Sequence, residues 1–138
     1  MRGWKKVAMI TVVGMAFPLV AASEERPQPN GHSIQVVRDI VTTQVVDREP
    51  INDGAVFSAT MGPVYYFTEV KGAYTPTHIT HIWYYHGKQM AQVPLSVDSP
   101  RWRTWSSKQI LENWVGSWMV EAVDADGNVL SSESFDVH

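Results

Sequence analysis

The feature that most constrains the fold is an alternation of apolar and polar residues with a period of two. It recurs in short segments rich in β-branched and aromatic residues, and Gly, Pro, Asn and Asp separate these segments. This pattern is typical of β-strands that bury one face. The segments are Ile34–Val46, Ala55–Thr60, Val64–Val70, Thr77–Tyr85, Lys88–Val97, Trp102–Ser107, Gly116–Asp124 and Val129–Val137.

Turn residues indicate how the segments are joined. The pair His86-Gly87 predicts a two-residue hairpin, and Asp126-Gly127 predicts a second one near the carboxyl terminus. Pro94 lies inside a predicted strand, which places that strand at a sheet edge or a bulge. We interpret 48–54 as a turn cluster and 109–114 as a single helical turn. Seven or eight short strands of this kind predict an antiparallel β-sandwich, immunoglobulin-like in its pattern, with an open β-barrel as the alternative.

The amino-terminal segment has the layout of a secretory signal peptide. Arg2, Lys5 and Lys6 precede the apolar run Val7–Val20, and Ala22 supplies a small residue before the expected cut. The run has about 14 residues, whereas a membrane span needs roughly 20, so cleavage is favoured over the alternative of a retained anchor. We therefore predict a signal peptide over 1–22 and a periplasmic or secreted protein.

Residues 23–33 are polar and rich in Pro, and they predict a flexible tether ahead of one β-sandwich domain over 34–138. The chain has no cysteine, which excludes disulfides, thiolate metal sites and cysteine nucleophiles. A net charge of −3 argues against a nucleic-acid partner. We expect no metal and no cofactor, membrane contact only through an uncleaved signal, and a monomer or weak homo-oligomer.

Several blocks of the sequence together resemble one known family. They are Val64–Val70, His81–Gly87, Arg101–Lys108, Gly116–Val120 and Asp126-Gly127 with Phe135. In order and spacing, these blocks are similar to the bacterial family called domain of unknown function 2914, and the likeness covers roughly Val56–Val137. The resemblance implies a small all-β domain of exported or membrane-attached bacterial proteins, here in a stand-alone version. It implies no established activity.

The segment Arg101–Lys108 is the most distinctive candidate for function. On a strand, Trp102, Thr104 and Ser106 share one face, and the other face carries Arg103 and Trp105. An exposed indole beside a guanidinium group stacks on a sugar ring or holds an acidic peptide. The alternative is that the arginines only cover core aromatics. The candidate binding residues are Arg101, Trp102, Arg103, Trp105, Lys108, His81 and Tyr85.

Catalytic and metal-binding patterns are weak. His78 and His81 are three residues apart, so a strand directs them to opposite faces, and we expect His81 to be a core histidine bonded to a backbone carbonyl or a carboxylate. Ser106, Ser107 and Lys108 lack the spacing of a serine–lysine nucleophile.

The acidic residues have structural explanations. Glu69 and Glu121 are expected to face solvent. Turn formation explains the acids beside the carboxyl-terminal hairpin turn and those in or next to 48–54, which are Asp124, Asp126, Asp47, Glu49 and Asp53.

These observations favour an exported, non-enzymatic binding module of the bacterial cell envelope, with a protein or glycan partner. One alternative is a cell-wall or polysaccharide hydrolase that acts through His81 with Ser106 or an acidic residue. The other is a structural envelope subunit that assembles by edge-strand pairing.

Overall fold

The computed structural model describes Gly14 and residues 34–138. Apart from Gly14, the predicted signal peptide (1–22) and tether (23–33) lie outside the described residues. Residues 34–138 form nine β-strands and no helix, so the described part of the chain offers no helix that could cross a membrane. The strands are β1 (Gln35–Val46), β2 (Glu49–Asp53), β3 (Val56–Phe57), β4 (Pro63–Lys71), β5 (Thr77–Tyr85), β6 (Lys88–Val97), β7 (Arg101–Gln109), β8 (Gly116–Val123) and β9 (Val129–Val137).

The strands form two sheets. Sheet I has the order β2-β1-β4-β7, and sheet II has the order β3-β9-β8-β5-β6. All pairings are antiparallel except that of β3 with β9, which is parallel. The predicted all-β class is therefore confirmed, with nine strands instead of seven or eight and with one parallel pair.

The two sheets stack face to face and enclose an aromatic core. Trp83 and Trp118 of sheet II are buried against Phe135, and Tyr66 of sheet I meets Trp83 edge to face with ring centroids 6.5 Å apart. Such edge-to-face pairs are among the favoured aromatic geometries. A smaller cluster at the other end contains Val70, Ile79 and Val97. The core thus joins strands from both sheets.

A short polar bridge also joins the sheets, on the side where β1 and β9 lie. The Tyr66 hydroxyl donates to Asp39 Oδ2 at 2.9 Å, and it lies 2.8 Å from Ser131 Oγ on the opposite sheet. Burial raises the pKa of Tyr66, and burial together with Asp39 raises the pKa of Glu133. The phenol therefore stays protonated and bonds both sheets.

The hairpin between β1 and β2 covers the outer face of sheet I. Asp47 and Arg48 have positive φ angles of 50° and 63°, and they form its two-residue turn. From the tip, Glu49 reaches back to Arg38, which lies earlier in β1, and to Arg103 of β7. The prediction that 48–54 is only a turn cluster was therefore wrong, because most of this segment is β2.

Most local predictions about strands and turns are confirmed. His86 and Gly87 have φ angles of 47° and 79° and join β5 to β6, and Pro94 lies in β6, an edge strand of sheet II. The predicted helical turn over 109–114 is wrong, because β7 continues to Gln109 and a non-helical turn follows. The predicted strand over 55–60 shrinks to β3, because the Met61 N–H turns back to the carbonyl of Ser58.

Candidate functional site

The structure separates the predicted binding residues into three places. Arg101, Trp102, Arg103 and Trp105 lie along β7, at the edge of sheet I. His81 is fully buried between the sheets. The last two, Tyr85 and Lys108, lie near Trp114, in the loop between β7 and β8.

Three of these β7 residues, Trp102, Arg103 and Trp105, border an open depression of about 490 Å³, which we call the β7 groove. It extends around the edge of β7 toward β6 of the other sheet. Two of its lining residues are arginines and none is acidic. The lining residues are Arg48, Ser96, Trp102, Arg103, Thr104 and Trp105.

Both indoles of the groove are half-buried and supported by other side chains. Trp105 stacks on Phe67 with a centroid distance of 6.4 Å and an interplanar angle of 15°. Trp102 packs against the smaller core cluster, and the Arg48 guanidinium lies over its ring at 5.8 Å. A cation held over an indole face is attracted by the ring quadrupole. The two tryptophans therefore form fixed walls of the groove.

Beside the groove, a buried carboxylate gathers three arginines. Glu69 Oε1 accepts a hydrogen bond from Arg101 Nε at 2.9 Å, and Arg38 and Arg103 approach the carboxylate to 3.7 Å. The pKa of Glu69 is lowered, and the largest cause is the hydrogen bond from Arg101. The prediction that Glu69 faces solvent was wrong. It lies on the outer face of β4, but only 4% of it is exposed.

Arg48 differs from the other arginines in having no acidic partner. Arg38 and Arg103 bond Glu49, and Arg101 bonds Glu69, whereas within residues 34–138 the Arg48 guanidinium makes no ion pair. Its contact is the Trp102 ring, and the residue is exposed. Arg48 is therefore the cation of the groove whose charge is available to a ligand.

The buried His81 belongs to a polar chain that crosses the core. The Thr68 hydroxyl donates to the carbonyl of Thr104 at 3.0 Å, so it accepts from His81 Nε2 at 3.1 Å. Nδ1 of the same ring then accepts from Ser106 Oγ at 2.7 Å, and Ser106 in turn accepts from Trp83 Nε1 at 3.2 Å. Burial lowers the pKa of His81 to about 3. The imidazole is therefore neutral, with its proton on Nε2.

This chain places His81 and Ser106 in the relation of a base and a nucleophile, as the hydrolase alternative requires. However, both side chains are buried between the sheets, and Ser106 is only 6% exposed. A nucleophile acts only where a substrate reaches it beside oxyanion donors. The partners of His81 are hydroxyl groups, and not the carbonyl or carboxylate that the sequence suggested.

Tyr85 and Lys108 form a separate cluster around Trp114. Lys108 Nζ lies 5.0 Å from the Trp114 ring centroid, and the Tyr85 ring is 6.5 Å from the same indole. The Tyr85 hydroxyl donates to the carbonyl of Val115 at 2.7 Å. These contacts hold the loop that follows β7 against the end of the core.

Sequence reasoning missed Arg48, Ser96 and Thr104 as groove residues. Arg48 is far from β7 along the chain, and it reaches the groove because the β1–β2 hairpin folds over sheet I. The sequence holds no local signal for this position, because the contact between Arg48 and Trp102 joins two residues that are far apart along the chain.

A second depression, of about 450 Å³, lies on sheet II near the β5–β6 hairpin, where Tyr84, His86 and Met119 contribute to its lining. Among residues 34–138, no three His, Asp or Glu side chains are grouped so as to hold a metal ion.

These features define a class: an all-β protein of two stacked sheets with a cationic, indole-walled groove at one edge. A family model described as "Protein of unknown function (DUF2914)" matches residues 76–137, and it confirms the resemblance to that family over this part of the chain. The matched residues include β5 to β9 and thus all of β7. The block Val64–Val70 lies outside them.

The comparisons with curated proteins and with solved structures add no information about function. No curated protein matches the chain. Among solved structures, a beta-glucosidase from Kluyveromyces marxianus is similar, with a TM-score of 0.43 and 9% sequence identity. The match covers 77% of this chain but only 14% of the enzyme's chain. A likeness at this level does not bear on function.

Proposed function

We propose that the protein is a non-enzymatic binding module of the bacterial cell envelope, and that the β7 groove holds an anionic group of its partner. The observation that carries the proposal is the position of Arg48, an exposed guanidinium that is fixed over Trp102 and lacks an acidic partner among the described residues. A guanidinium group bonds carboxylates and phosphates in a bidentate manner, which gives direction as well as strength.

The charge of the surroundings supports this proposal. The whole chain carries a net charge of −3, yet the lining of the groove contains no carboxylate, and of its two arginines Arg103 is paired with Glu49 while Arg48 makes no ion pair among the described residues. A local concentration of one charge sign on a surface of the other sign attracts ligands of complementary charge to that place. The groove is thus the best candidate for an anionic partner.

The proposed location of the protein rests on its amino-terminal sequence. We propose that 1–22 direct export, that cleavage before Ser23 releases the chain with a tether over 23–33, and that the sandwich is a variant of the immunoglobulin-like type. The test is expression with the native leader in a bacterium, followed by mass analysis of the periplasmic protein. A mass that begins at Ser23 supports export, and an uncleaved chain in the cytoplasm contradicts it.

Binding is tested with two soluble polyanions, polyglutamate and polygalacturonate, in titrations followed by tryptophan fluorescence. We expect at least one to bind at low salt. Arg48→Ala should weaken binding about fivefold or more, because it removes the available guanidinium. Lys88→Ala is the matched control, since Lys88 is an exposed cation on the β5–β6 hairpin, and it should bind as the parent does. No binding, or equal binding by the Arg48 variant, contradicts the proposal.

A further inference from the structure

We infer that the partner is an extended acidic peptide segment, which adds to β7 as an additional strand of sheet I. This inference rests on the proposed function and names the partner of the same groove. Strand addition uses the main-chain groups at a sheet edge for affinity and alternate side chains for specificity.

The first argument is the regularity of the β7 edge. β7 has nine residues and pairs with β4 without a register shift from Pro63↔Gln109 to Lys71↔Arg101. Along its other side, every second residue presents its N–H and C=O groups outward. Among the described strands, β7 pairs with β4 alone.

The second argument is the contrast with the other three sheet edges of the described fold. β6 contains Pro94, and its pairing with β5 has a bulge between Trp83 and Tyr84. β2 has five residues and β3 has two. Proline, bulges and short length are devices that protect an edge from pairing. Of these edges, only β7 combines length with a regular register.

The third argument is charge. β7 contains Arg101, Arg103 and Lys108 and no acidic residue, and Arg48 lies beside it. Arg101 and Arg103 are paired with Glu69 and Glu49, but every charged side chain on β7 itself is cationic, so pairing with a second copy of β7 would place like charges opposite each other and is disfavoured. An incoming strand with acidic side chains on one face is complementary instead.

The fourth argument separates a peptide from a sugar. A glycan that stacks on tryptophan needs an uncovered indole face. One face of Trp102 is covered by Arg48, Trp102 also packs on core residues, and Trp105 has Phe67 stacked on one side. The indole surface left for stacking is thus one face of the half-buried Trp105, whereas the main-chain edge of β7 has no strand partner among the described residues, and a peptide can pair with it.

The test uses a synthetic peptide in which Asp and Val alternate over about eight residues, a length that matches a typical strand. Three comparison probes are used: the same peptide with alternate amides N-methylated, a peptide with Lys in place of Asp, and oligogalacturonate. Binding to the purified chain is followed by tryptophan fluorescence, and amide hydrogen exchange locates the contact.

We expect the acidic peptide to bind at least tenfold more tightly than the methylated and the lysine peptides, with slowed exchange confined to β7. Equal affinity of the methylated peptide overturns strand addition, because methylation removes the ladder donors. Binding of oligogalacturonate but not of the peptide overturns the inference and leaves the proposed function standing. If no anionic probe binds, both fail.

Discussion

At the scale of single residues, the main feature is a buried polar chain in which each described donor has an acceptor. Trp83, Ser106, His81 and Thr68 bond in sequence and end on the carbonyl of Thr104. A buried polar group costs little when it is bonded and much when it is not. This series of hydrogen bonds therefore links the two sheets, and it holds His81 in a place that neither solvent nor a substrate reaches.

The first prediction concerns pH and His81. The pKa of this imidazole falls from 6.5 to about 3 on folding, so the unfolded chain binds more protons between these values. The contribution of His81 to the free energy of unfolding is therefore fully present above about pH 7, and it is lost progressively as the pH drops below 6.5. Acidification to about pH 5 should cost roughly 2 kcal/mol through this group.

Urea unfolding as a function of pH measures this effect. His81→Gln is expected to lower stability overall but to flatten the slope between about pH 7 and 5, since the titrating group is gone. His78→Gln changes an exposed histidine and should keep the parent slope. An unchanged slope in the His81 variant would show that the imidazole is not held neutral.

The second prediction concerns Glu69. Glu69→Gln removes the charge that three arginines share, and we expect a loss of roughly 1 to 3 kcal/mol in unfolding free energy. This loss is smaller than the roughly 3 to 5 kcal/mol expected on breaking a fully buried pair, because Arg101 is 64% exposed and stays hydrated. Glu121→Gln is the control, since that half-buried carboxylate accepts from the single hydroxyl of Tyr84. Equal losses in both variants would contradict the special role of Glu69.

At the scale of elements, β4 shows why a strand pattern does not reveal every buried face. Its residues Tyr66 and Thr68 face the core, while Phe67 and Glu69 on the opposite face are buried as well. The second face is covered because Glu49 at the β1–β2 tip reaches Arg38 and Arg103. Alternation identified the strand, but the covering hairpin is a long-range feature that local periodicity does not contain.

The third prediction concerns the start of β8. Gly116 has a φ of +109°, and an added Cβ would lie 2.6 Å from Nε2 of His86. Gly62 has a φ of +89° with nothing near its added Cβ. Gly62→Ala should therefore cost about 1 kcal/mol from backbone strain, and Gly116→Ala should cost about 1 kcal/mol more.

Thermal unfolding of the variants separates the two causes. Adding His86→Ala to Gly116→Ala should recover the stability loss that the ring contact causes, because the added Cβ clashes only with the imidazole. The loss that the positive φ causes should remain. If the double variant is no more stable than the single one after correction for His86→Ala alone, the close contact is not the cause.

At the scale of the whole molecule, the sequence predicted the class of fold and many of its strands, but not their arrangement. The hairpins at His86-Gly87 and Asp126-Gly127 follow from local turn chemistry. The order β2-β1-β4-β7 and the parallel β3–β9 pair do not, because they join residues distant along the chain. For the same reason, Arg101 to Trp105 could be singled out while Arg48 could not.

The most direct test of the binding account is an amide chemical-shift titration of the chain with the alternating Asp-Val peptide. The account predicts that the chemical-shift changes concentrate on β7 and on the turn of the β1–β2 hairpin around Arg48. It also predicts that these changes are smaller in the Arg48→Ala variant at the same peptide concentration. Shifts centred on the depression of sheet II near His86, or no shifts at all at saturating peptide, would contradict it.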